Sequence, residues 1–163
     1  MTTPNYFNTI SPFIQDLDEN IIVLLDQAYF DYSSYLNEDL GFELINKYPN
    51  LIISRSFSKA YGLAGFRIGY SVSSPEVADY LNRVTKPFNA NSLALVAAEV
   101  ALSDESHLKK SLEINLDQKN ILTKGLRNLG YECIPSQGNF ISFNSNGNGQ
   151  KLFEDLLNEG VIV

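Results

Sequence analysis

Between Ser54 and Tyr70 the chain reads Ser-Arg-Ser-Phe-Ser-Lys-Ala-Tyr-Gly-Leu-Ala-Gly-Phe-Arg-Ile-Gly-Tyr. Lys59 brings a primary amine, the group that forms an imine with a carbonyl compound. Ser56 and Ser58 bring hydroxyl donors, and Arg67 brings a planar fork able to grip phosphate oxygens in two places. The interleaved glycines allow backbone to approach a ligand closely. Together these residues suit an aldehyde cofactor that also carries a phosphate. Taken singly, Lys59 also fits a solvated loop lysine and Arg67 a surface ion pair. Gly62, Gly65 and Gly69 do not spell G-x-G-x-x-G, and no G-x-x-x-x-G-K-S/T run is present, so a nucleotide loop is not indicated.

Such a loop must be held by regular elements on either side. Ile21 to Leu25 is a continuous apolar run ending in Asp26, the pattern of a strand buried on both faces. Leu51 to Ser54 predicts a second strand and Arg67 to Val72 a third, with the lysine loop between them. Ser11-Pro12 reads as a helix start running to Leu17, serine as cap and proline in the first turn. Tyr29 to Asp39 reads as loop, and Phe42 to Lys47 has helical spacing. Ser74-Pro75 caps a helix to about Val84. Beyond Pro87 come a small-residue helix, Leu93 to Leu102, and a longer one from about Glu105 to Leu129, closed by Gly130. Leu112, Leu116, Lys119, Ile121 and Leu122 trace the expected buried stripe of that long helix. Strands at Tyr131 to Ile134 and Asn139 to Phe143, a turn at Asn144 to Gly149, a helix at Gln150 to Glu159 and a strand beginning at Val161 complete an α/β pattern.

Composition limits the function classes. The 163 residues suit one domain or two partial ones, and 44% hydrophobic with 19% charged residues is a globular composition. A net charge of −7 disfavours phosphate backbones and anionic lipid, so neither nucleic acid nor a membrane is an expected partner. No apolar run nears the roughly 20 residues that span a bilayer, and no signal peptide opens the chain, so the cytoplasm is the expected location. The lone cysteine, Cys133, reads as a small buried hydrophobe. The lone histidine, His107, reads as a surface residue, and the two do not make a metal site.

The lysine segment resembles the motif S-x-S-K-x-x-G-L-A-G-x-R-x-G of fold-type-I pyridoxal-phosphate enzymes, in the version of the histidinol-phosphate aminotransferases. The match runs over about seventeen consecutive positions. Three further segments match the same family in order. Asp26-Gln27-Ala28-Tyr29 is similar to D-E-A-Y at a strand end, Pro87-Phe88-Asn89-Ala90-Asn91 to P-F/Y-N-x-N, and Ser136-Gln137-Gly138-Asn139-Phe140 to S-x-x-N-F.

The resemblance implies pyridoxal 5′-phosphate as cofactor and assigns roles. Lys59 would form the Schiff base and later move a proton between the substrate α-carbon and the cofactor's C4′. Asp26 would sit against the pyridine nitrogen and keep it protonated, and Tyr29 would donate to the ring oxygen. Ser56, Ser58 and Arg67 would hold the phosphate, while Asn89 and Asn91 would order the segment between domains. Gln27 departs from the family's glutamate, but neighbours in a strand face opposite ways, so little catalytic consequence is expected.

The implied fold is part of a fold-type-I aminotransferase. Residues 1–91 would be part of the large cofactor-binding domain, with part of a mainly parallel sheet. Residues 92–129 would be linking helices, and residues 130–163 part of a small α/β domain. The family's Asn-Pro-Asn-Asn-Pro-Thr-Gly element is absent, and Thr3-Pro4-Asn5-Tyr6 reads as the stretch just past it. The expectation is a truncated chain, inactive alone, of a homodimeric enzyme that transfers an amino group from L-histidinol phosphate to 2-oxoglutarate. Alternatives are an aromatic aminotransferase, a threonine-phosphate decarboxylase, or a non-catalytic fragment that only self-associates.

Overall fold

The computed structural model describes residues 6–33 and 40–163, so Thr3 to Asn5 and the second half of the Tyr29–Asp39 segment lie outside the described residues. The chain divides into two compact units, residues 1–111 and 112–163. The division falls inside the long helix.

In the first unit, helix α1 (Tyr6–Gln15) leads to strand β1 (Val23–Asp26), helix α2 (Leu40–Lys47) and strand β2 (Leu51–Ser56). Strands β1 and β2 pair in parallel, Val23 opposite Leu51 and Asp26 opposite Ser54. The crossover carries α2, whose Leu44, Ile45 and Tyr48 pack with Ile14, Leu51 and Ile53 into the unit's main core. Strand β3 (Gly69–Ser73) returns antiparallel to β2. A parallel partner needs a crossover, usually helical, and the loop between β2 and β3 contains only a single 3-10 turn, Ala64–Phe66. The described sheet, in the order β1-β2-β3, therefore holds one parallel and one antiparallel pair.

Three expectations change here. The first helix starts at Tyr6 and takes Ser11 and Pro12 into its interior, so Ser11 is not its cap. Ser11 is buried, with its hydroxyl 2.8 Å from the Tyr48 phenol and accepting from Lys47 Nζ at 3.1 Å, while Tyr48 donates to the Ser11 carbonyl. These contacts, with burial of Ile14, offset the cost of an interior proline, about 3 kcal/mol. Strand β1 is not covered on both faces, because Leu24 is 64% exposed. The third strand begins two residues later than expected, because Arg67 turns into the left-handed region at φ 53°.

Helix α3 (Pro75–Val84) is capped as expected, the Ser74 hydroxyl accepting from the Val77 amide. Asn91 caps helix α4 (Ser92–Ser103) by accepting from the Ala94 amide at 2.8 Å. Helix α5 (Glu105–Asn128) ends where Gly130 takes φ 89° and Tyr131 N–H reaches back to the Leu126 carbonyl.

The second unit adds a two-stranded antiparallel ribbon, β4 (Cys133–Ile134) with β5 (Ser142–Phe143), and helix α6 (Gly149–Asn158). Both strands are shorter than expected, and residues 161–163 form no strand here. Cys133 is buried as expected. The expected stripe of α5 is not buried: Leu116, Ile121 and Leu122 are all more than half exposed. Leu122, Leu126 and Leu129 instead line an apolar cavity of about 610 Å³ with Tyr131, Phe140 and Leu156. Lys119 reaches across to donate to the Ser136 and Gly138 carbonyls at 2.8 and 3.2 Å.

Candidate active site

Parallel pairing of β1 and β2 brings two consecutive rungs to their carboxyl ends, and the rungs face opposite ways. On one face Asp26 stands beside Ser54, whose hydroxyl donates to Asp26 Oδ1 at 3.3 Å. The same oxygen accepts the Ala28 amide at 2.9 Å, which fixes the turn out of the strand. On the other face Gln27 is buried, and its Oε1 accepts Arg55 Nε at 3.1 Å and Nη2 at 3.0 Å. The Arg55 guanidinium also lies 3.8 Å from the centre of the Phe30 ring. Carboxyl ends of strands in open α/β sheets are where ligands bind.

The lysine loop is fixed by its apolar residues. Phe57 and Ile68 are buried against Ala94 and Ala98 of α4, whose small side chains let the loop settle close. Phe57 N–H donates to the Ile68 carbonyl, and Leu63 N–H to the Phe57 carbonyl, so the loop closes on itself. Ala60, the next residue after Lys59, is buried. Gly62 takes φ 72° to make the turn after it, a conformation a side chain would strain. The amine of Lys59 is carried out to 5.2 Å from the centre of the Tyr29 ring, a cation–π distance.

Ser56 closes β2. Its hydroxyl oxygen accepts the Ser58 amide at 3.0 Å, a bond that leaves its own proton for another acceptor. Arg67 is exposed at the loop's far end, with Nη1 donating to the Ala64 carbonyl at 3.0 Å. One bond engages one of five guanidinium donors. A non-glycine residue in the left-handed region costs of order 1 kcal/mol, and such strain gathers at functional sites.

Burial pushes the Tyr61 phenol above its ordinary range; Asp31 and Tyr70 add to the effect and Arg55 opposes it. Tyr32 is raised by burial first and then by Asp31 and Tyr29. Both stay protonated in neutral solution.

Of the residues singled out by sequence, the structure joins Lys59 to Tyr29 by direct contact and places Asp26 at a neighbouring strand end. Ser56 and Ser58 meet each other within the loop. No contact links Arg67 directly to the other five among the described residues. Sequence reading missed Ser54, the partner of Asp26, and Arg55, the partner of Gln27. Strand alternation carried the signal, since Ser54 shares a face with Ser56. His107 is exposed, as expected, and among the described residues no three His, Cys, Asp or Glu side chains gather to hold a metal. No described helix is long and apolar enough to cross a membrane.

The family model for class I and II aminotransferases matches residues 7–163. The chain is 46% identical over 156 residues to histidinol-phosphate aminotransferase 1 of Idiomarina loihiensis, covering 96% of this chain and 42% of that protein. Among solved structures, it resembles the histidinol-phosphate aminotransferase of Sinorhizobium meliloti in complex with pyridoxal-5′-phosphate. The TM-score is 0.88 at 27% identity, covering 96% of this chain and 43% of that one. It also resembles L-threonine-O-3-phosphate decarboxylase of Porphyromonas gingivalis, with a TM-score of 0.76 at 25% identity, covering 94% of this chain and 47% of that one.

Proposed function

The chain belongs to the class I and II aminotransferases, and from that premise we propose that its lysine site serves a pyridoxal-5′-phosphate-dependent transamination, with L-histidinol phosphate as amino donor and 2-oxoglutarate as acceptor. The observation that carries the reading is the juxtaposition of Lys59 with Tyr29, three residues beyond the strand-end Asp26. The donor set fits the cofactor group by group: an amine for the aldehyde, a carboxylate for the pyridine nitrogen, a phenol for the ring oxygen, and two hydroxyls with a guanidinium for the phosphate.

When bound, the cofactor supplies an aldehyde and a protonated ring that withdraws electrons from the substrate α-carbon. Asp26 holds the proton on the ring nitrogen. Tyr29 donates to the ring oxygen. Ser56, Ser58 and Arg67 hold the phosphate, the last with a two-pronged grip. Lys59 would present its amine to the cofactor's aldehyde and, with substrate in place, would serve as the base that takes the proton from the substrate α-carbon.

Residues 1–91 are read as part of the large domain, 92–129 as the link and 130–163 as part of the small domain. Leu93, Val96 and Val100 of α4 are each at least 60% exposed. Apolar surface of this kind generally meets a partner, and a second copy of the chain in a cytoplasmic homo-oligomer fits it. The likeness to the Porphyromonas protein supports one rival, decarboxylation of threonine phosphate by the same lysine site.

A chimera tests the choice. Residues 7–163 replace their counterparts in the Idiomarina relative, of which the chain spans 42%. Glutamate should form from L-histidinol phosphate and 2-oxoglutarate, and Lys59→Ala should abolish it. Release of carbon dioxide from threonine phosphate, without glutamate formation, would favour the rival. The 163-residue chain by itself should give no glutamate above its Lys59→Ala control. Residues outside the match are expected to orient the substrate, and poor orientation alone forfeits orders of magnitude in rate.

A further inference from the structure

We infer that Arg55 is a positioning residue for Tyr29, and through it for the Lys59 amine; the inference deepens the lysine-site reading above and rests on it only for its meaning in catalysis. Tyr29 lies on a turn that is tied at both ends to one side chain. Before it, Gln27 Oε1 accepts two Arg55 N–H groups at 3.1 and 3.0 Å. After it, Phe30 stacks on the same guanidinium at 3.8 Å. The turn's backbone is closed by Phe30 N–H to the Gln27 carbonyl at 3.0 Å, with Tyr29 between the two anchors. Tyr29 is itself 37% exposed, and its ring centre stands 6.5 Å from that of Tyr32. The face of the turn that bears Tyr29 meets Lys59 Nζ at 5.2 Å.

The residue types suit this duty. A guanidinium is flat and carries its donors in a fork, so it can bond an amide oxygen edge-on while stacking an aromatic ring on its face. A lysine ammonium offers a point charge and no plane. Gln27 must present an oxygen acceptor, which glutamine and glutamate share. Its departure from the family's glutamate therefore keeps the anchor and removes only a charge, leaving a hydrogen bond to a charged donor in place of an ion pair. Strand alternation separates the two tasks: Asp26 and Ser54 face one way, and Gln27 and Arg55 support the turn from the other.

The test reads the Lys59 amine without any cofactor. The 163-residue chain is acetylated with acetic anhydride across about pH 7 to 11, and modification at Lys59 is quantified by mass spectrometry. Tyr29→Ala removes the ring from the ammonium and should speed acetylation of Lys59 by roughly two- to fivefold, the range for losing one exposed cation–π contact. Arg55→Met should reproduce that shift, and adding it to Tyr29→Ala should shift the profile no further. Arg55→Lys, which keeps the charge and is the milder change should the methionine variant not fold, should also shift it, whereas Gln27→Glu should not. A purely structural role would lower the melting temperature and leave the Lys59 profile unmoved. That result, additive shifts in the double variant, or no shift with Tyr29→Ala would each overturn the inference. Labelling with pyridoxal phosphate is scored separately, so loss of the cofactor reading would leave this result standing on its own.

Discussion

The two units invest their apolar residues differently. Residues 1–111 close a core of their own, with Leu44 and Leu51 almost inaccessible and Ile14 and Ile53 close behind. Among the described residues of 112–163, Cys133 is the sole buried hydrophobic side chain, and the leucines of α5 and α6 surround an open cavity. A βαβ crossover explains the contrast. It lays a helix across one face of two paired strands and buries Leu51 and Ile53 there, while a two-residue ribbon is too short to cover a helix of 24 residues. The lysine loop sits in the unit with the buried clusters, its own Phe57 and Ile68 packed against Ala94 and Ala98.

The sharpest way to break the comparison is a pair of truncations. Leu44→Ala should cost about 2–5 kcal/mol in urea unfolding, the range for emptying a well-packed core position. Leu122→Ala, at a position 58% exposed, should stay within about 0.5 kcal/mol. Equal losses would contradict the contrast. Gly69→Ala should come next. A methyl there would lie 2.6 Å from the Arg55 carbonyl oxygen, and backbone on both sides of the β2–β3 pair would have to part. The expected cost is about 1–3 kcal/mol, with faster amide exchange in β2 and β3 and none in α6.

The smallest effect concerns Lys119. Burial pushes its ammonium below the ordinary value of 10.5. The folded chain therefore sheds this proton at lower pH than the unfolded chain, and between the two midpoints the unfolded state binds more protons. Stability should then rise slightly as pH climbs towards 10.5, and the rise should vanish in Lys119→Met. The carbonyls of Ser136 and Gly138 favour the charged form and keep the rise small. A steeper gain, or a fall, seen in the wild type alone would contradict the assignment.

Much of this was legible in the sequence wherever local chemistry decides the outcome. Ser74, Pro75 and Gly130 delimit helices by capping, and the apolar runs ending in Asp26 and Ser54 announced strands. Ser11-Pro12 misled, because its cap signal was overridden by burial against Tyr48, a contact 37 residues away. The start of β3 slipped because nothing in Arg67 as a residue type marks a left-handed turn. The α5 stripe was real as a pattern, but periodicity states which side is apolar and not what covers it. The pairing of Asp26 with Ser54 and of Gln27 with Arg55 needed the parallel register, which no single segment contains.

Lys59 as the aldehyde-binding residue is the claim on which the rest depends. Incubating the chain with pyridoxal phosphate, reducing with borohydride and mapping the adduct by peptide mass spectrometry tests it directly. A single dominant adduct at Lys59, lost in Lys59→Ala, is the predicted result. Adducts spread evenly over exposed lysines such as Lys110, Lys124 and Lys151, with Lys59 no more modified than these, would contradict it.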